Sequence, residues 1–216
     1  MTAGRLTRGE SAALTRRRLL DAAQDVLLER GFHGASLDAV AERAGFTKGA
    51  VYSRFAGKGD LFIELLDARR VQTIREFEAV AAEAQTSGDL VRVFARWWTQ
   101  RLREGPAWQL ALIEFWASAG RDPALLERFR RAHAALFAGL SGALEEAADR
   151  LDVQLPAPSI DIVRTTTALG HGMALELVVD PGAVDEQALA RAFEALASAG
   201  GLDVLGRSPG VATEGE

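Results

Sequence analysis

The chain has 216 residues, 48% of them hydrophobic and 25% charged, with no cysteine and three histidines, His33, His133 and His171, far apart in sequence. Such a chain can bury a sizeable core and is not disordered in bulk; without cysteine it forms no disulfide, thiolate nucleophile or cysteine zinc site, and its scattered histidines give no basis for a metal site. The net charge of −5 conceals an asymmetry, because residues 1–58 hold ten Lys/Arg against six Asp/Glu (+4) while the rest hold fifteen against twenty-four (−9).

A local basic surface is enough to attract phosphate, although many proteins with no nucleic-acid role also have one basic end. No apolar run approaches the roughly 18 residues of a membrane span. The N-terminal stretch MTAGRLTRGESAALTRRRLL has arginines but not the apolar core of a signal peptide. A cytoplasmic protein is expected.

Taken in order, the pattern is helical almost throughout. Residues 15–30 put Leu19, Ala23, Val26 and Leu27 on one stripe, with arginines and acids opposite, and Gly31 ends that helix before an apolar Phe32. Ser36 is a good N-cap for a short helix from Leu37 to Ala44, stopped by Gly45. A second short helix runs from Thr47 to about Phe55, and a long one from Asp60 past Phe77 to about Ala84. Helices follow over Asp89–Glu104, then Ala107–Ala119 after the Gly105-Pro106 break. Asp122-Pro123 caps the next, which reaches about Leu151. The loop Pro156-Ala157-Pro158-Ser159 precedes a helix over Ile160–Val179, Asp180-Pro181-Gly182 ends it, and Val184–Ala199 makes the last. Strand alternation and internal repeats are absent, so an all-α bundle of about nine helices is expected.

The segment from Ser36 to Phe55 carries the functional signal. Two short helices meet at a tight turn where Gly45 tolerates positive φ. Leu37, Val40 and Ala41 face inward from the first, Val51 and Phe55 from the second; Ala41, Ala44 and Ala50 are small enough for a close crossing. The outward side of the second helix carries Thr47, Lys48, Tyr52, Ser53 and Arg54, all able to donate hydrogen bonds to phosphates or base edges. This suits a helix-turn-helix whose second helix enters a major groove. Spacing alone leaves open a plain pair of packed helices with a solvated polar face.

The run Leu20-Asp21-Ala22-Ala23 … Glu29-Arg30-Gly31-Phe32 … Ser36-Leu37 … Val40-Ala41-Glu42-Arg43-Ala44-Gly45 … Gly49-Ala50-Val51-Tyr52 … Phe55 … Lys58 … Leu61-Phe62 resembles the N-terminal domain of the TetR/AcrR family of transcriptional regulators. The resemblance implies a three-helix helix-turn-helix domain (residues 13–59) joined by a long fourth helix to a helical ligand-binding and dimerisation domain (60–205); residues 1–12 and 206–216, rich in Gly, Ser, Thr and charge, are expected to be mobile tails. It implies a homodimer on a palindromic operator; no cofactor is expected. The DNA-binding set it implies is Ser36, Thr47, Lys48, Gly49, Ala50, Tyr52, Ser53, Arg54 and Lys58. Thr47, Lys48, Gly49 and Ser53 would do most of the base reading, Ser36 would both cap its helix and reach a phosphate, and Lys58 would meet a phosphate. Two residues depart from the family pattern. Gly59 stands where an acid is common, which implies a looser start to the fourth helix, and Phe46 is bulkier than the usual valine. Arg16, Arg17 and Arg18 are either an arm toward flanking phosphates or a solvated helix start.

Further on, Glu114-Phe115-Trp116-Ala117 … Arg121-Asp122-Pro123 and Ala168-Leu169-Gly170-His171-Gly172-Met173-Ala174-Leu175 … Asp180-Pro181 resemble segments of TetR-type regulatory domains, where the last two helices pair across the dimer. Ile160, Val163, Thr167, Gly170, Ala174 and Leu177 share one helical face, as do Ala188, Ala192, Ala195 and Ala199; such stripes suit an interface or an ordinary core. Phe94, Trp97, Trp98, Trp108, Phe115 and Trp116 cluster on two helices. With Arg101 and His171, and with Arg96 or Glu114 as further polar contacts, they line a pocket for a small apolar or aromatic effector, or else fill the core. The expected function is a ligand-responsive repressor; the alternative is a same-family regulator without a small-molecule ligand, an activator or one controlled by a partner. An enzyme is not expected: Gly170-His171-Gly172 lies within a helix, with no preceding strand for a dinucleotide motif.

Overall fold

A computed structural model describes residues 7–180 together with the isolated positions 182, 187, 191, 192 and 195. Among the described residues there are eight continuous helices: α1 (Arg8–Gly34), α2 (Leu37–Ala44), α3 (Lys48–Tyr52), α4 (Lys58–Glu83), α5 (Ser87–Glu104), α6 (Pro106–Ala119), α7 (Pro123–Arg150) and α8 (Ser159–Val179). The described residues include no strand and no helix long and apolar enough to cross a membrane. The helix expected over Val184–Ala199 lies largely outside the described residues, as do 1–6 and 206–216.

Most helix ends fall where glycine, proline or a capping side chain put them. Asp122 caps α7 by accepting from the Ala124 and Leu125 N–H groups (3.0 and 3.1 Å), with Pro123 at the first helical position. The start of α1 differs. It begins at Arg8 rather than near residue 15, because Thr7 and Glu10 form a reciprocal capping box: the Glu10 N–H donates to Thr7 Oγ1 at 3.2 Å and the Thr7 N–H to Glu10 Oε2 at 2.7 Å. Arg16, Arg17 and Arg18 therefore sit two turns inside α1, not on an arm, and Arg16 pairs with Glu64.

The chain divides into two compact units. The first comprises residues 1–71 and 107–133, the second 72–106 and 134–216, so α4 and α7 each contribute to both. In unit 1 the α1 stripe Leu19, Ala23, Val26 and Leu27 packs with Leu37, Val40, Val51, Phe55, Phe62, Trp108 and Phe115. Phe62 and Phe115 are fully buried, with ring centroids 4.5 Å apart, and Phe32 meets Phe115 edge-on at 5.2 Å. Unit 2 has its own core, built from Phe77, Val93, Trp97, Trp98, Leu102, Phe137, Leu140, Leu144 and Val163.

The stripe of α8 read from its spacing belongs to this second core. Val163, Gly170 and Ala174 are buried, and Ile160 and Leu177 pack against the same cluster. Gly170 lies against the Trp98 ring so closely that a Cβ there would fall 2.7 Å from it. The opposite side of α8, Ala168, Gly172, Leu175 and Val179, is exposed.

Candidate nucleic-acid interface

Three local devices set the angle between α2 and α3. Ser36 caps α2, its Oγ accepting from the Ala39 N–H at 3.2 Å. Gly45 then takes φ 71°, and the Phe46 N–H turns back to the Ala41 carbonyl at 2.9 Å, the six-to-one closure that ends helices on a left-handed residue. Phe46 lies half-buried against the unit 1 core, which is how a residue bulkier than valine is accommodated at this turn. Thr47 caps α3 through the Ala50 N–H at 3.3 Å. Both hydroxyls accept at their caps and keep an O–H to donate elsewhere.

Alpha-3 is anchored by Val51 and Phe55, both buried. That anchoring turns Lys48, Gly49, Tyr52, Ser53 and Arg54 outward, while Ala50 is half-buried. Tyr52 is 55% exposed, unusual for a large ring and suited to a surface that a partner covers. A Cβ at Gly49 would touch nothing within 4 Å, so the backbone there is open to close approach. Ser53 Oγ donates to the Ala50 carbonyl at 3.0 Å.

The charges on this face are partly paired. Lys48 Nζ donates to Asp38 Oδ2 at 2.5 Å, from the first residue of α3 to the second of α2. That hydrogen bond holds the Asp38 carboxyl below the usual carboxylate range, against its partial desolvation and with lesser help from the Tyr52 hydroxyl, and it raises the Lys48 ammonium. Arg43 makes a bidentate pair with Glu29 (2.8 and 2.6 Å), which lowers Glu29 and raises Arg43.

Lys58, for which the resemblance implies a phosphate contact, is held at the start of α4 by partners within the chain. Its ammonium donates to the carbonyls of Phe32 and His33, both at 3.0 Å, and lies 4.8 Å over the Phe32 ring. Glu114 serves the same corner, its Oε2 accepting the His33 N–H at 3.0 Å. Glu114 thus sits at this corner rather than in the effector set, and Asp38 joins the site although its sequence position alone does not single it out. The signal for Asp38 was an acid at the start of α2, one short turn away from the basic start of α3.

The eight candidate effector residues lie on three helices and do not form one set, because those of α6 fall in unit 1 and those of α5 and α8 in unit 2. Phe94, Trp97, Trp98, Arg101 and His171 stay together in unit 2, where the Trp97 ring lies 5.7 Å from Phe94, 5.6 Å from Phe77 and 5.6 Å from Trp98, and His171 meets Trp98 edge-on at 6.2 Å. Arg101 reaches over the Trp97 ring at 5.0 Å and pairs with Glu76 at 2.5 Å. Trp108, Phe115 and Trp116 instead belong to unit 1. Trp108 stacks on Phe62 at 5.5 Å beneath the Arg69 guanidinium, and Trp116 lies 6.1 Å from Phe129. The reason is that the apolar partners of α6, from Phe32 and Phe62 to Phe129, all lie in that unit. In unit 2 the indole N–H groups of Trp97 and Trp98 and the hydroxyl of Ser141 are buried without a hydrogen-bond partner. Among the described residues no group of acids and histidines is arranged to hold a metal ion.

Residues 19–65 match the family model of bacterial regulatory proteins of the tetR family, and residues 87–200 match that of the BetI-type transcriptional repressor C-terminal domain. The transcriptional regulator SrpR of Pseudomonas putida is 43% identical over 56 residues, 26% of each chain. The transcriptional activator FasR of Mycolicibacterium smegmatis is 41% identical over 51 residues, 24% of this chain and 23% of that one. The chain thus matches about a quarter of the length of these curated relatives. Over most of its length it has the fold of a TetR transcription regulator from Haloarcula marismortui, with a TM-score of 0.65 at 18% identity over 87% of this chain and 98% of that chain.

Proposed function

The chain belongs to the TetR family of bacterial regulatory proteins, and from that premise we propose that it is a cytoplasmic, homodimeric repressor that leaves a palindromic operator when a small apolar or aromatic effector binds. The observation that carries the DNA-binding part is the outward face of α3. Alpha-3 and the turn that follows it, fixed from behind by Val51 and Phe55, present Lys48, Tyr52, Ser53 and Arg54 to solvent around an open Gly49, the donor set a major groove accepts. Ser36 and Thr47 bring hydroxyls to flanking phosphates. Lys58 keeps one ammonium N–H beyond its two carbonyl partners, enough for one phosphate contact.

The dimer is assigned to the outer side of α8, where Leu175, Val178 and Val179 are 44%, 48% and 82% exposed; such a cluster of apolar residues calls for cover. The effector is assigned to unit 2 alone, beside Phe94, Trp97, Trp98, Arg101 and His171. Support comes from the buried, unpartnered indole N–H groups, which a ligand acceptor would satisfy.

One observation favours the second reading, a regulator with no small-molecule effector. The unit 2 aromatics already touch one another at 5.4–5.7 Å, as a filled core does.

Fluorescence anisotropy of a labelled fragment from directly upstream of the gene, against a scrambled duplex at two salt concentrations, tests the first part. Selective binding that weakens with salt, and is lost in Lys48→Ala or Tyr52→Ala, supports it. Equal, weak binding to both, repeated in a genome-wide selection, defeats it. Titrating ligands into the complex then decides between the two readings.

A further inference from the structure

We propose that Asp38 is a specificity-determining positioning residue, which holds the Lys48 ammonium away from phosphates and aims it at base edges. The inference rests on the DNA-binding reading of α3. The geometry behind it is the bond from Lys48 Nζ to Asp38 Oδ2, which joins the start of α2 to the start of α3. Lys48 is the first residue of the outward helix, and Tyr52 stands one turn further along the same side. The carboxylate thus engages the side chain best placed to meet DNA first.

A free lysine on such a face is a flexible point charge that binds any phosphate. Tied to Asp38, the ammonium still has two N–H groups to give. It can reach the O6 and N7 acceptors of a guanine while its third N–H stays on the carboxylate. On a duplex that lacks an acceptor there, Lys48 must leave Asp38 for a phosphate, and the carboxylate is left unpaired beside a polyanion. That cost falls on the wrong sequence alone, which is how a repulsive element produces discrimination. Glu42 is a further, more distant negative charge acting on Lys48, and it adds to the same field.

Asp38→Asn removes the charge and keeps the shape. In the full-length dimer it should raise affinity for a scrambled duplex roughly three- to fivefold, the scale of a solvent-exposed ion pair. It should steepen the salt dependence on that duplex by about one unit of log K against log salt and leave operator affinity unchanged or lower. Asp38→Glu should restore the wild-type ratio. In a Lys48→Ala background Asp38→Asn should add nothing. A second readout needs no DNA: followed by NMR in the free protein, the Asp38 carboxyl should titrate below the ordinary carboxylate range and return to it in Lys48→Ala.

The inference is overturned if Asp38→Asn leaves the ratio of operator to scrambled affinity unchanged. It is equally overturned if the same shift occurs without Lys48, or if Asp38 titrates normally. In each of those cases a wild-type protein that prefers its operator keeps the DNA-binding reading intact. If the wild type prefers no duplex, the DNA-binding reading falls and the specificity role falls with it.

Discussion

Gly31 combines φ 67° with ψ 177° inside the last turns of α1, a conformation that is close to glycine-only. A Cβ there would also lie 2.9 Å from the Glu114 carboxylate oxygen that accepts the His33 N–H. Backbone strain and the displaced carboxylate act together, so Gly31→Ala should cost about 1–3 kcal/mol, read as a lowered urea midpoint. Gly59 looks comparably tight, with a Cβ 2.8 Å from both Leu125 methyl carbons. Its φ is unremarkable, however, and the obstacle is the far end of a half-buried leucine that can turn aside. Gly59→Ala should therefore cost less than Gly31→Ala, at most about 1 kcal/mol; the reverse order would show that α7 cannot yield at Leu125. The glycine where the family commonly has an acid is thus explained by the approach of α7, and Asp60, one residue on, holds the preceding turn, its Oδ2 accepting the Ala56 N–H at 2.9 Å.

The ionisable side chains allow a signed prediction at the same scale. Glu10, Glu29, Asp38 and Asp89 are all held below their usual values, Glu10 by the Thr7 backbone, Glu29 by Arg43, Asp38 by Lys48 and Asp89 by Thr86. A depressed carboxyl contributes stability that is present above its ordinary pKa, near 4, and is lost as pH falls through its lowered one. The melting temperature should accordingly be flat through neutral pH and begin to fall on acidification past about pH 4.5. Glu10 and Glu29 are exposed and Asp38 and Asp89 half-buried at the surface, so the fall should be shallow and should shrink in 0.5 M salt, a concentration at which the Debye length is about 4 Å. A fall that begins at neutral pH would refute this account.

Helix existence was legible in the sequence wherever a local chemical signal ended or began an element. Ser36, Gly45, Asp122-Pro123 and Gly105-Pro106 mark ends that the structure places within a residue or so. The start of α1 was missed because the apolar stripe begins only at Leu19, while the Thr7–Glu10 box acts through backbone donors in a polar turn. Spacing could not say which side of α8 packs on the unit 2 core, since both sides carry small and apolar residues. The buried one is decided by the Trp98 ring resting on Gly170. Nor could it separate the aromatics of α5 from those of α6, which lie close in sequence and join different cores. The two sides of α8 make opposite predictions. Leu175→Asp, on the exposed side, should convert a dimer to a folded monomer in light scattering with little change in the thermal melt of the monomer. Ala174→Asp should bury a charge in the unit 2 core and destabilise the unit by several kcal/mol. A Leu175→Asp protein that stays dimeric would place the interface elsewhere.

Each unit contains two of the four tryptophans, Trp108 and Trp116 in the first and Trp97 and Trp98 in the second. The chain passes between units at 71–72, 106–107 and 133–134, and the first and last of these points lie within α4 and α7. A helix cannot end at such a point without losing consecutive backbone hydrogen bonds, so melting of one unit frays α4 and α7 into the other. This continuity is also the only covalent route, apart from the Gly105-Pro106 link, by which an event beside Trp97 would reach the helix-turn-helix. Proteins carrying Trp108→Phe/Trp116→Phe or Trp97→Phe/Trp98→Phe report on one unit each. Their urea transitions, corrected for the substitutions by circular dichroism, should coincide with the loss of helix, the mark of a single cooperative step. Val71 and Gln72 are exposed, so Val71→Gly/Gln72→Gly weakens the helix by about 1–2 kcal/mol without opening either core. In that background the two transitions should separate, with the less stable unit melting first. If they still coincide, α7 alone carries the coupling, and the same glycine pair placed at His133 and Ala134 should be the change that divides them.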